Sequence, residues 1–249
     1  MSARQVVYGL HAVTAALKRR PDAVFEVFLA AGRSDPRTRR VAELAKAAGV
    51  RLHEVEPERL NGFAKGGRHQ GVAAFVQEVA LAVSLHEVLE DIAEPALLLL
   101  LDGVQDPHNL GACLRVADGM GVHAVVAPRD RATGLNATVR KVASGAAESV
   151  PFIAVTNLAR TLRELKDKGI NVVGAVGDGG RTLFEASMSG PLALVVGAEG
   201  EGLRRLTRDT CDELVSIPML GQVESLNVSV AAGILLYEVR RQRSISRQA

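Results

Sequence analysis

Five consecutive leucines, Leu97–Leu101, lie between Pro95-Ala96 and Asp102-Gly103. A run with no polar position has no face to offer water, so it reads as a strand covered on both sides, as in parallel sheets. Apolar runs recur at Val122–Val126, Phe152–Val155, Ile170–Val176, Leu192–Val196 and Leu214–Ile217. Between them lie helical patterns at about Leu110–Met120, Asn136–Ala147 and Leu158–Lys168, the last stopped by Gly169, and a closing helix ends the series. Strands alternating with helices predict a mostly parallel α/β sheet over residues 95–249.

The first 78 residues read differently. Residues 9–19 form an amphipathic helix stopped by Pro21, Phe25–Ala30 a strand, and Pro36–Ala48 a helix ended by Gly49. Val50–Val55 and Val72–Val79 are two more strands, which makes a small α/β module. Residues 61–71 read as a flexible basic loop carrying Lys65, Arg68 and His69, either a solvated turn or a track for a phosphate backbone. Residues 1–78 hold 13 Lys/Arg against 8 Asp/Glu, a balance that suits a nucleic-acid surface. The only charges in 79–94 are Glu87, Glu90, Asp91 and Glu94, and that acidic stretch is read as a linker. With 3% aromatics and no Trp, a base-stacking platform is not expected.

Two cysteines are too few for a disulfide framework and lack metal spacing. There is no apolar leader and no run of 18 apolar residues, so a cytoplasmic chain off the membrane, without a metal, is expected.

Ligands of open parallel sheets bind beyond the carboxyl ends of the strands. Three loops at such ends hold the unusual chemistry. The first, Asp102–Arg115, reads D-G-V-Q-D-P-H-N-L-G-A-C-L-R. Taken singly, its Asn109 reads as a helix cap, its Arg115 as a surface ion pair and its His108 as a turn residue. The second, Gly197–Gly202, reads G-A-E-G-E-G. The glycine order reverses that of a dinucleotide fingerprint, but three glycines permit close backbone approach to a ligand. Its central carboxylate, Glu199, suits hydroxyls or a cation better than a phosphate. The third opens the stretch Ile217–Tyr237, where Ser225 and Asn227 either cap a core helix or line a site.

D-P-x-N-x-G-x-x-x-R, G-x-E-x-x-G and I-P-M…S-L-N-V-S-x-A, in this order, resemble the SpoU branch of the SPOUT RNA ribose methyltransferases. Y-G-L-H-A-V and R-H-Q-G-V-A-A resemble the small substrate-binding domain of some members. The resemblance implies domains at 1–78 (RNA substrate binding) and 95–249 (methyltransferase), with 79–94 linking them. It also implies a deep C-terminal trefoil knot, a homodimer through the C-terminal domain, and S-adenosylmethionine as methyl donor. The substrate implied is a guanosine 2′-hydroxyl of 23S ribosomal RNA. Carried over by position, Asn109, Arg115, Glu199, Ser225 and Asn227 fall on the catalytic positions. Gly197, Ile217 and Leu226 fall on backbone contacts to the donor, while Lys65 and Arg68 are candidates for phosphate contact. Pattern alone suggests an unknotted sheet, since chain threading is rare. The alternatives are methylation of tRNA or another ribosomal site, a nicotinamide oxidoreductase, and a non-catalytic RNA binder.

Overall fold

A computed structural model describes residues 4–33, 35–64, 67, 69–77 and 84–246. The chain divides into two compact units, residues 1–80 and 81–249. Among the described residues no helix is long and apolar enough to cross a membrane. Lys65 and Arg68 lie outside the described residues.

The first unit runs β1 (Arg4–Tyr8), α1 (Leu10–Arg19), β2 (Val24–Ala30), α2 (Pro36–Ala47), β3 (Arg51–Val55), α3 (Pro57–Ala64) and β4 (Val72–Gln77). Its four-stranded sheet has the order β1-β4-β2-β3, with only β2 and β3 parallel. Val27, Leu29, Val72, Ala74 and Val76 face α1 and α2, whose Leu10, Val13, Leu17, Val41 and Ala45 close that side. Helix α2 begins where Asp35 accepts bonds from the Arg37 and Thr38 amides, with Pro36 at the first helical position. The Arg33 guanidinium, then the Thr38 amide, hold the Asp35 carboxyl well below the usual range. The stretch read as a loop from residue 61 is helical up to Ala64. Buried Leu60 and Ala64 hold α3 down, and nothing lies within 4 Å of where a Gly62 side chain would begin. Tertiary burial here outweighs the poor helix propensity of Asn-Gly.

The second unit adds α4 (Leu85–Asp91), β5 (Leu97–Asp102), α5 (Pro107–Gly119), β6 (Ala124–Pro128), α6 (Ala137–Ala143), β7 (Phe152–Val155) and α7 (Leu158–Asp167). It continues through β8 (Asn171–Val176), β9 (Arg181–Thr182), β10 (Leu192–Gly197), α8 (Arg205–Thr210), β11 (Glu213–Ser216) and α9 (Val228–Ser246). The seven strands lie in the order β7-β6-β5-β10-β8-β11-β9, and every pairing is parallel. The leucine run alternates across the sheet. Leu97, Leu99 and Leu101 pack under α5, α6 and α9, while Leu98 and Leu100 pack under α7 with Val88 of α4. All five are fully buried. Helix α6 stops short of the expected Ala147 because Ser144 and Gly145 both take left-handed backbone.

Two arginines fasten α9. Buried Arg243 donates to the carbonyls of Pro95, Ala96 and Gly190, at the start of β5 and just before β10. Arg240 donates to the carbonyls of Met120 and Gly121. Hence α9 lies along the α5 side of the sheet, beginning near the carboxyl ends of the strands and finishing near their amino ends.

Candidate active site

Strands β5 and β10 are neighbours although about ninety residues of chain separate them, and β6-β7 continue to one side while β8-β11 lie on the other. Such a reversal opens a crevice beyond the strand ends. The parallel register sets Gly197 opposite Asp102, so the first two loops leave the sheet side by side. A cavity of about 420 Å³ opens between them, lined by Asp102, Gly103, Asn109, Glu199, Gly202 and Arg204 among others. Its size falls within the range of small-molecule sites.

The first loop enters α5 through Asp106, which accepts the His108 amide at 3.0 Å, with Pro107 at the first helical position. That assigns the capping role to Asp106 and frees the Asn109 side chain. The glycine two positions on, Gly111, serves packing: a β-carbon there would stand 2.9 Å from the Val139 carbonyl and 2.7 Å from Val142, where α6 crosses α5. In the second loop a side chain at Gly197 would overlap the Gly202 backbone at 2.1 Å. Ala198 and Gly202 bridge there, the Gly202 amide donating to the Ala198 carbonyl at 2.9 Å. Gly197 is therefore required for the tight return that lifts Glu199 over the cavity.

Asn227 joins all three loops. Its amide nitrogen donates to Asn109 Oδ1 at 2.9 Å and to a Glu199 carboxylate oxygen. Its Oδ1 accepts from the Ser229 amide at 3.0 Å and from the Ser229 hydroxyl at 2.6 Å, which caps α9. The capping reading of Asn227 is realised through its oxygen, while its nitrogen bonds Asn109 and Glu199. The capping bond orients the group so that its nitrogen must point at the site.

The other residues read from the sequence stand as follows. Arg115 is exposed on α5 and makes no hydrogen bond or ion pair among the described residues, so the surface ion pair expected of it alone is not formed. Ser225 is exposed and not drawn into the Asn227 network. Ile217 packs against the core at the start of the third loop, and Leu226 is partly exposed beside Asn227. Cys113, one turn below the site, is held by burial as a thiol with its pKa pushed up to about 12, which removes it as a nucleophile.

Motif reading overlooked one pair. Asp102 is 1% exposed, and its Oδ2 accepts the Arg204 amide at 2.9 Å, with Arg204 Nε 3.5 Å from Oδ1. This carboxylate ties the end of the second loop to the end of β5. Its signal in the sequence is a charge closing five leucines, since a charge placed there needs a partner. Among the described residues no three His, Cys, Asp or Glu side chains meet in a metal-ligating group.

Residues 96–237 match the model of the SpoU rRNA methylase family, and residues 6–81 match that of RNA 2′-O ribose methyltransferase substrate binding. The chain is 57% identical over 243 residues to the 23S rRNA (guanosine-2′-O-)-methyltransferase RlmB of Bordetella pertussis, covering 98% of this chain and 99% of that one. With the enzyme of the same name from Neisseria meningitidis serogroup B it shares 54% over 248 residues, covering 100% and 99%. The fold is similar to the SpoU methyltransferase AviRb of Streptomyces viridochromogenes in complex with AdoMet, with a TM-score of 0.66 at 25% identity, covering 97% of this chain and 91% of that one.

Proposed function

Because this chain belongs to the SpoU rRNA methylase family, we propose that it transfers a methyl group from S-adenosylmethionine to the ribose 2′-oxygen of a guanosine in 23S ribosomal RNA. The observation that carries this reading is the Asn227 amide, which ties the third loop to Asn109 and Glu199, two residues that line the cavity. Capping alone does not call for a bond to Glu199, 28 residues away in sequence, or to Asn109, 118 away.

The cavity fits the donor on its own chemistry. Its lining includes the carboxylates Glu199 and Glu201, which suit a cationic ligand and ribose hydroxyls, and backbone at Gly103 and Gly202 that a flat ligand can approach closely. Bound there, S-adenosylmethionine supplies a methyl carbon activated by its sulfonium. The 2′-oxygen bonds to that carbon as the carbon–sulfur bond breaks, the electron pair stays on sulfur, and the hydroxyl proton leaves to an adjacent phosphate or water. Holding oxygen and methyl in line accounts for much of the acceleration. Arg115 is not the base, since a guanidinium is not deprotonated in proteins. Exposed and without a hydrogen bond or ion pair among the described residues, it is a clamp for the phosphate beside the target ribose. Asn109, Ser225 and Asn227 orient hydroxyls and the donor's polar groups, and Glu199 holds a hydroxyl or offsets the sulfonium charge. Gly197, Ile217 and Leu226 present backbone groups to the donor.

The working form in this reading is a homodimer, supported by an apolar stripe on the outer side of α9. Val230, Ile234 and Tyr237, at helical spacing, are 49%, 39% and 63% exposed. The reading keeps the trefoil knot, supported by β10 lying between β5 and β8 while α9 returns to the start of β5. It also keeps the cytoplasm, where such a substrate is found, as the place of work. The test of the activity is to incubate 23S RNA with the protein and labelled donor, then map ribose methylation by nuclease digestion and mass spectrometry. One methylated guanosine is expected; label only on tRNA, or none, overturns the reading.

A further inference from the structure

In the small unit, α3 is eight residues long, about 12 Å, and lies on a sheet four strands wide. It buries Phe28, Ala30, Val55 and Ala73 beneath Leu60 and stops there. Beyond its reach the same face continues through alternate residues of each strand: Phe75 and Gln77 on β4, Arg51 and His53 on β3, and Arg4 on β1. This face gathers three of the chain's six phenylalanines. Phe28 is the buried floor, and the rings of Phe63, Phe75 and His53 are each centred 5.0 Å from it. Phe63 and Phe75 stay partly exposed, and His53, stacked on Phe28 at 18°, keeps 42% of its side chain open to solvent. The exposed Arg59 holds its guanidinium 5.8 and 5.9 Å from the Phe63 and Phe28 ring centres, with no ion pair among the described residues.

We propose that this part of the sheet, left open among the described residues, with Arg59, His53, Phe63 and Phe75, is a stacking surface for an unpaired base of the RNA substrate. The inference rests on the RNA reading above and adds to it where and how a base is held. The occupant is argued from charge and shape. Arg59 stands over two of the rings and Arg4 and Arg51 lie farther along the same face, Arg4 over the Phe25 ring at 5.2 Å, while Glu26 is the one carboxylate on the sheet positions of this face and is already engaged by Arg51 at 3.1 Å and His53 at 3.4 Å. A polyanion is drawn to such a rim, and a flat π-system matches half-exposed rings with a guanidinium plane beside them. Single-stranded RNA offers both, whereas a duplex keeps its bases stacked inside. The low aromatic content argues against a platform by number, but three phenylalanines and a histidine converging on one spot supply it by placement.

The experiment uses the full chain and three variants, Arg59→Ala, Arg59→Lys and Phe75→Leu. Each is titrated against a ten-nucleotide RNA strand carrying one 2-aminopurine, and against the same strand in a duplex. The native chain is expected to quench 2-aminopurine on binding. Arg59→Ala and Phe75→Leu should weaken single-strand binding about tenfold while duplex binding changes less than twofold. Arg59→Lys keeps the charge without the plane and should stay weakened. Unchanged single-strand binding, equal losses on both probes, or full rescue by lysine would overturn the proposal. So would a change in oligomeric state without a change in RNA binding, since the face would then dock protein. Arg59 is exposed, so its variants decide the matter if Phe75→Leu melts early. Methyl transfer to 23S RNA is followed separately, with KM expected to rise and kcat to hold. If the native chain transfers no methyl, the catalytic reading fails while the fluorescence still decides the stacking surface.

Discussion

The two sheets of this chain bury their strands to different depths, and the binding chemistry proposed for them sits in different places as a result. In the large sheet helices cover both faces, so β5 has no surface left except at its end. The site proposed there gathers in the loops beyond the carboxyl ends. The small sheet has one face closed by α1 and α2 and the other, among the described residues, only half closed by α3, so side chains in mid-strand remain available. Completeness of cover decides whether a sheet presents its ends or its face.

The comparison breaks most readily at Asn227. Asn227→Ala removes one capping bond, worth about 1 kcal/mol of stability, but also the link between Asn109 and Glu199. Loss of an orienting donor of this kind costs about 100- to 1000-fold in kcat. A variant that melts lower yet methylates 23S RNA at the native rate would return Asn227 to a purely structural role. Next in size is a paired test of burial. Leu99→Ala, between two layers of helix, should cost about 2–5 kcal/mol by denaturant unfolding, and Phe75→Ala, half open to water, should fall below the ~3–5 kcal/mol of a buried phenylalanine. Equal and full costs would mean that the small sheet's open face is an ordinary core.

Smaller effects sharpen the picture. Arg115→Lys keeps the charge and loses the fork, so kcat/KM for RNA should fall about tenfold at unchanged stability, and native turnover would dismiss the clamp. Tyr237→Glu places a charge on the exposed stripe of α9 and should shift sedimentation toward monomer; an unchanged assembly would move the subunit contact elsewhere. The smallest effect concerns acid. The Asp35 carboxyl is held below the usual range, so the stability it contributes is present at neutral pH and lost as pH falls through and below that range. Asp35→Asn keeps a good cap without the charge, and hydrogen exchange in α2 should then vary less with acid than in the native chain.

Much of this architecture was legible in residue order. Periodicity located the strands from β5 onward, apart from the two-residue β9, within a residue or two, because a strand covered on both faces leaves no polar position to blur it. Elements that rest on tertiary contact were not legible. Helix α3 contains Asn61-Gly62 and depends on Leu60, β1 is a short edge strand held by β4, and α8 is six residues after a glycine-rich return. The site divides in the same way. Asn109, Glu199 and Asn227 stand out as motif residues, but their meeting depends on β10 pairing with β5, which no local pattern encodes. Asp102 was hidden because its partner, the Arg204 backbone, comes 102 residues later. The aromatic face was missed because composition counts rings without saying where they converge.

The fastening of α9 by Arg243 has a consequence for how the protein is made. A ribosome releases the chain from its amino end, so the first and second loops emerge before the amide that joins them. Asn227 caps α9 as well as bonding Asn109 and Glu199, and α9 is pinned to the start of β5 and the approach to β10 by a guanidinium one turn from the end of the helix. A nascent chain halted before Arg243 thus presents Asn227 on a helix that has the Arg240 bonds but not those to Pro95, Ala96 and Gly190.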